Sequence, residues 1–192
     1  MPPKCRFTRE EIIQAALDLT AEKGVGALTA RGLAQRFGSS AKPIFGLFAN
    51  MEEVQQEVVK AANLRYQEYL RQDMSAGRYP PYKASGMAYI RFAREQKELF
   101  QLLFMRDRTH EEKAAGDELE ALLGLIQKNM GLSRDDAYRF HLEMWIYVHG
   151  IATMIATAYL EWDMDFISAA LTDAYQGLRL RFLPKETEGE RK

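Results

Sequence analysis

The chain has 192 residues and a formal net charge of −1, with 47% hydrophobic and 28% charged side chains. This balance is typical of a globular protein and excludes a disordered chain, and the length allows one domain or two small ones whose core needs no disulfide or metal. The single cysteine, Cys5, excludes an intramolecular disulfide and a cysteine-based zinc site, and it favours a reducing cytoplasm.

Neither the N-terminus nor the most apolar stretch predicts a membrane association. Residues 1–9 are basic but contain no apolar run, so we expect no signal peptide. Residues 144–160 contain no Asp, Glu, Lys or Arg, but they are fewer than the roughly 20 residues that a spanning helix needs. This stretch predicts a buried helix in a soluble bundle, and we expect no membrane partner.

Charge is distributed unevenly along the chain. Residues 1–50 carry a net charge of +3, and the remaining residues carry −4. A basic N-terminal head (residues 1–50) followed by an acidic body (residues 51–192) indicates that the head alone binds a polyanion.

Helical periodicity runs through nearly the whole chain, and no segment has the alternation of a strand. Thr8 and Glu11 have the spacing of a capping box at the start of the first helix, and Gly24 marks its end. Thr29 is a second cap, and it precedes a short helix over residues 30–37.

Ser39 and Ser40 are predicted to cap a third, very short helix, with Pro43 in its first turn. Three short helices with a tight turn before the third form a helix-turn-helix arrangement, in which the third helix lies in the major groove of DNA. The predicted DNA-binding residues are Thr29, Arg31, Ser39, Ser40, Ala41, Lys42, Pro43 and Phe45.

Several of these residues also have a purely structural interpretation. Thr29 and Ser40 act as caps whether or not they contact phosphate. Phe45 either belongs to the core or meets a thymine methyl group. Lys42 is the best candidate for a base or phosphate contact, whereas Arg36 is expected to be a solvated surface charge.

Six further helices are predicted in the body. They cover residues 51–74, 82–95, 97–105, 111–130, 134–160 and 163–183. Expected caps are Asn50 with Glu53, then Ser133, and then Asp163 or Asp165. The charged tail beyond these helices is expected to be frayed. The fold class is therefore all-α with about nine helices, a three-helix helix-turn-helix head joined to a C-terminal helical bundle.

Residues 8–54, TREEIIQAALDLTAEKGVGALTARGLAQRFGSSAKPIFGLFANMEEV, carry a series of recognisable motifs. They are T-R-E, I-x-x-A-A-L and A-E-K-G on the first helix, L-T-A-R-x-L-A on the second, and G-S-S-A-K-P-I-F-x-x-F-x-N-M-E-E-V across the third and fourth. By these motifs the run resembles the DNA-binding domain of TetR/AcrR-type repressors. Residues 145–150, W-I-Y-V-H-G, are similar to a pattern in the C-terminal domains of some members.

The resemblance implies a ligand-responsive transcriptional repressor that binds double-stranded DNA at a near-palindromic operator. It implies a DNA-binding domain over residues 1–50 and a ligand-binding and dimerisation domain over residues 51–192. The homodimer would form through the last two helices, and a small, largely apolar effector would release the operator. Two alternatives stay open, a dimeric small-molecule-binding protein with a weakened head and a ligand-independent DNA binder.

Three positions depart from the family pattern. Members usually carry Tyr where Phe45 stands, His where Leu47 stands and often Lys where Met51 stands, and these side chains commonly contact phosphate. Their loss removes positioning contacts but none that discriminates between sequences. We therefore expect DNA binding to persist with a shallow salt dependence.

The resemblance places an effector pocket in the body, which is rich in large apolar side chains. Candidate lining residues are Phe92, Phe104, Met105, His141, Trp145 and His149. The last three are spaced four apart and so lie along one face of a helix, where their polar groups need partners. A ligand would supply these partners, and internal hydrogen bonds between helices are the alternative.

The sequence offers no motif for catalysis. It has no P-loop, no dinucleotide-binding glycine pattern and no nucleophile elbow, so we expect neither an enzyme nor a cofactor. His141 and His149 are eight residues apart, whereas helical metal pairs are three or four apart, so no metal site is expected.

Overall fold

The computed structural model describes residues 7–107, 109 and 116–182, and this part of the chain is helical without a strand. The helices are α1 (Arg9–Lys23), α2 (Ala30–Arg36), α3 (Lys42–Phe45), α4 (Met51–Ser75), α5 (Pro81–Glu95), α6 (Lys97–Phe104), α7 (Asp117–Met130), α8 (Arg134–Ala156) and α9 (Met164–Phe182), with a 3₁₀ turn at Val25–Ala27. The all-α prediction with about nine helices is confirmed for these residues. Cys5, residues 111–115 and the tail lie outside them. No helix in the described ranges is both long and apolar enough to span a membrane.

The chain divides into two compact units. The first unit comprises residues 1–72 and 91–109, and the second comprises residues 73–90 and 110–192. Both divisions fall inside a helix, so α4 and α5 each contribute residues to both units. The functional division predicted at residue 50 stays a prediction.

Local hydrogen bonds fix the ends of α1. The Thr8 hydroxyl accepts from the Glu11 N–H at 3.1 Å, and the Glu11 carboxylate accepts from the Thr8 N–H at 2.8 Å, so the predicted capping box is confirmed. Gly24 ends the helix with φ 77° and ψ 169°, a conformation essentially restricted to glycine.

The predicted cap of α2 is also confirmed, because the Thr29 hydroxyl accepts from the Gly32 N–H at 3.0 Å. Gly32 is needed for close packing, since a Cβ there would lie 2.5 Å from the Ala27 carbonyl oxygen of the 3₁₀ turn.

The predicted serine cap of α3 is wrong. The residue at the cap position is Ala41, which has no capping side chain and already has helical dihedral angles, φ −72° and ψ −9°. Side-chain capping needs an extended residue at that position. Ser39 and Ser40 precede it, and the Ser39 hydroxyl donates instead to the Ser40 carbonyl at 3.0 Å.

The start of α4 differs by one residue from the expected cap-and-return pair. The Asn50 side chain accepts from the Glu53 N–H at 2.9 Å, as predicted. The Glu53 carboxylate accepts from the N–H of Ala49, at 2.7 Å, one residue earlier than a capping box requires.

The second unit packs α7, α8 and α9 around one apolar cluster. Its buried members are Leu123, Ile126, Met130, Ala137, Phe140 and Met144. The Phe140 ring meets Tyr175 and Phe182 edge-on, with centroids at 5.3 and 5.5 Å. Full burial of one such side chain stabilises the folded state by about 1.5–3 kcal/mol relative to leaving it exposed.

Helix α8 ends at Ala156, four residues before the predicted end. The Thr157 hydroxyl donates to the Thr153 carbonyl at 2.8 Å, and Ala158 has a φ of 53°, in the left-handed region. That conformation cannot continue a right-handed helix. Asp163, one of the two predicted alternatives, then caps α9 by accepting from the Phe166 N–H at 2.7 Å.

Candidate nucleic-acid interface and effector site

The four-residue helix α3 is oriented by the apolar side chains at its end. Ile44 is 1% exposed and Phe48 is 2% exposed, and Leu33 of α2 is fully buried. At the start of α1, the Arg9 guanidinium donates to the Leu47 carbonyl at 3.0 Å and to Glu53 at 2.8 Å, and it lies 4.2 Å from the Phe48 ring centroid. These contacts join α1 to the segment between α3 and α4.

All eight predicted DNA-binding residues lie within residues 29–45 of the first unit. The exposed ones are Thr29, Arg31, Ser40, Lys42 and Phe45, and the half-buried ones are Ser39, Ala41 and Pro43. The Thr29 hydroxyl oxygen accepts the capping bond, and its O–H can still donate to a phosphate oxygen. Their contact with DNA stays a prediction.

The three positions that depart from the family pattern have different surroundings. Phe45 is 49% exposed, so it is not a core residue. Leu47 is half-buried, and its carbonyl oxygen accepts a hydrogen bond from Arg9. Met51 is half-buried at the start of α4.

Arg36 is paired rather than freely solvated. Its guanidinium donates twice to the Glu22 carboxylate, at 2.8 and 2.9 Å, and lies 4.0 Å from Asp18. The hydrogen bond raises the pKa of Arg36 and lowers the pKa of Glu22. The pair joins the end of α2 to α1.

A polar chain continues within the first unit from α1 to α4 and the α5–α6 junction. Arg65 of α4 lies 3.7 Å from Asp18 and donates to the Gln96 side chain at 3.4 Å. Gln96 donates to the Tyr69 hydroxyl at 3.4 Å, and that hydroxyl donates to Glu95 at 2.9 Å. These polar contacts could not be predicted from the sequence, because the residues that make them are far apart along it.

The six effector candidates divide between the two units. Phe92, Phe104 and Met105 belong to the first unit, and His141, Trp145 and His149 belong to the second. Phe92 is fully buried, with the rings of Tyr66 and Tyr69 edge-on at 5.4 and 5.2 Å, so it contributes to core packing. Met105 is 40% exposed.

In the second unit, both histidines of α8 are hydrogen-bonded to tyrosines of α5. Tyr82 pairs with His141 Nδ1 at 3.2 Å, and Tyr89 pairs with His149 Nδ1 at 2.8 Å. The Trp145 ring stacks on His149, with centroids 4.8 Å apart and planes 11° apart. Burial raises the pKa of Tyr82 and lowers the pKa values of His141 and His149, so it favours the neutral form of each of these three groups.

The internal partners of the histidines are thus two tyrosines that were not among the predicted effector-site residues. The available signal was their spacing, because Tyr82 and Tyr89 are seven apart on α5 and the histidines are eight apart on α8. Such spacings allow two helices to meet at two successive places. Binding of a ligand at His141, Trp145 and His149 stays a prediction. Within the described ranges, no three His, Cys, Asp or Glu side chains cluster in a way that could hold a metal ion.

Comparison with known proteins found similarity to one family and to solved structures. Residues 82–175 match the model of the tetracyclin repressor-like C-terminal domain. A crystal structure of a candidate transcriptional regulator from Pseudomonas aeruginosa PAO1 shares the fold with a TM-score of 0.63 and 16% identity, over 92% of this chain and 96% of that one. No curated protein sequence matches significantly.

We predict that acidification destabilises the protein through His141 and His149. Their pKa values are lowered in the folded state, so below the ordinary value of about 6.5 the unfolded chain binds protons that the folded chain does not. The stability they provide above about pH 6.5 is therefore lost as the pH falls toward their folded pKa values. Urea unfolding at about pH 7.5 and 5.5 measures this loss.

The matched control is the double variant His141→Asn, His149→Asn. The Asn amide oxygen can replace the Nδ1 acceptor but does not titrate in this range. An equal loss of stability in the wild type and the double variant would assign the pH dependence to other groups.

Proposed function

We propose that this chain is a ligand-responsive repressor of the TetR-like type, whose C-terminal domain model matches residues 82–175. A dimer binds a near-palindromic operator, and a small, largely apolar effector releases it. The observation that carries the DNA-binding part is the segment 29–45, which exposes Arg31, Ser40 and Lys42 while Leu33 and Ile44 are buried.

The proposed interface combines positioning contacts with base contacts. Thr29 and Arg31, at the start of α2, would contact phosphate, as a helix-turn-helix requires of its first helix. Ser40 and Lys42, around the start of α3, would reach base edges or phosphates in the major groove. Two copies of α3 about 34–36 Å apart would occupy successive major grooves.

We predict that selection from random duplex DNA recovers a near-palindrome and that Lys42→Ala weakens its binding at least about five-fold. If Lys42 contacts phosphate, the slope of log affinity against log salt also falls by about 0.9 per subunit. Titration of the selected duplex at two salt concentrations measures both effects.

The matched control is Lys128→Ala, which removes an exposed charge from α7 in the second unit. Weak, sequence-independent binding that is the same in all three proteins would contradict the operator proposal. It would favour the alternative of a small-molecule-binding protein with a weakened head.

The proposed dimer uses the outward faces of α8 and α9. Large apolar residues exposed there include Tyr138, Leu142 and Ile146 on α8 and Phe166 and Leu180 on α9. The α8 residues follow the spacing i, i+4, i+8 of a single helix face. A second copy that presents the same two faces would bury these side chains.

We predict that the double variant Ile146→Glu, Leu180→Glu sediments as a monomer and loses operator binding. The two side chains are 66% and 77% exposed, so their replacement spares the core, but carboxylates in a dimer interface would be desolvated without partners. Leu64→Glu, 67% exposed on α4, is the control. A double variant that remains dimeric at the wild-type concentration would refute this interface.

The effector is proposed to bind beside α8 and to change operator binding through α4 and α5, the helices that contribute residues to both units. Because α5 contributes residues to both units, a shift of Tyr89 and its partner His149 acts on the same helix that carries Glu95 of the polar chain. An effector can release the operator only if it binds the DNA-bound arrangement of the protein and the released arrangement with unequal affinity.

We predict that a library of small apolar molecules contains at least one that weakens the operator complex by about 5- to 150-fold. The same compound should change the fluorescence of Trp145, and Trp145→Phe should remove that change. A broad library in which no compound alters operator affinity would contradict the ligand response and favour the alternative of a ligand-independent DNA binder.

A further inference from the structure

Phe45 differs from its apolar neighbours in the helix-turn-helix segment. Leu33, Ile44 and Phe48 are at most 2% exposed, whereas 49% of Phe45 is exposed. Successive residues of a helix turn by about 100°. Because Ile44 points into the core, Phe45 is directed away from it.

Lys42 lies on the same side of α3 as Phe45. The two residues are three apart, a spacing that makes them neighbours on a helix surface, and Lys42 is exposed as well. The outward face of α3 therefore presents a cation and an apolar ring side by side.

The chemistry of the major groove limits what this ring can contact. The base edges offer donors and acceptors, with one apolar group among them, the 5-methyl of thymine. A phenyl ring has no hydrogen-bonding group, and facing a polar edge it would displace water without replacing its hydrogen bonds. The thymine methyl group is the partner whose removal from water by the ring is favourable, because both groups are apolar.

We infer that Phe45 recognises the 5-methyl group of one thymine in each operator half-site. This inference rests on the proposed operator binding and adds a specificity to it. Lys42 supplies a contact to phosphate or guanine, and Phe45 makes affinity depend on a methyl group that carries no charge.

The test replaces each thymine of the selected operator by uracil, which lacks only the methyl group. We expect one position in each half-site to be sensitive to this replacement. Changing that position in one half-site should lower wild-type affinity roughly four-fold, and changing it in both should lower wild-type affinity roughly fifteen-fold. Phe45→Ala should bind the thymine and uracil duplexes equally at that position. Its salt slope should match that of the wild type, because the ring neutralises no phosphate.

Two controls separate the ring from general effects. Phe45→Tyr retains the ring and should retain the discrimination, and so should Leu64→Ala, which shortens an exposed apolar side chain on α4. Equal wild-type affinity for thymine and uracil at every position would overturn the inference and leave operator binding intact. A methyl effect that persists in Phe45→Ala would also overturn it. Failure of the wild type to select any sequence would overturn the proposed function with it.

Discussion

A helix of four residues is too short to be stable alone, and the proposed DNA-binding face depends on what holds α3 in place. Burial of Ile44 and Phe48 sets its orientation. Arg9, from the far end of the head in sequence, bonds the Leu47 carbonyl and covers the Phe48 ring. The direction in which Lys42 projects thus follows from the way α3 packs against the rest of the first unit.

Interactions between nearby residues could be predicted from the sequence, and the structure contains them. The capping box of Thr8 and Glu11 and the Thr29 cap each involve residues three apart. Predictions failed where a terminus depends on backbone conformation without a residue signal. Ala158 takes a left-handed conformation that its side chain does not favour, and this conformation ends α8. The apolar pattern of the sequence continues past this point and gives no sign of it.

The candidate sites show the same division. The predicted DNA-binding residues lie in one segment because local sequence specifies a helix-turn-helix. Tyr82 and Tyr89 pair with histidines 59 and 60 residues away, and no local pattern indicates which residues such a pair will join. The effector candidates were drawn from one predicted body, but α5 changes unit within its length, which periodicity cannot reveal.

Gly32 has a consequence for the genetics of the protein. Any side chain there would collide with the Ala27 carbonyl and displace α2, which is not one of the two helices proposed to form the dimer. In the proposed dimer, such an allele would still pair with wild-type chains and give mixed dimers with one functional head. A lesion at this glycine would therefore be dominant over the wild-type allele, whereas a lesion that abolishes folding or pairing would be recessive.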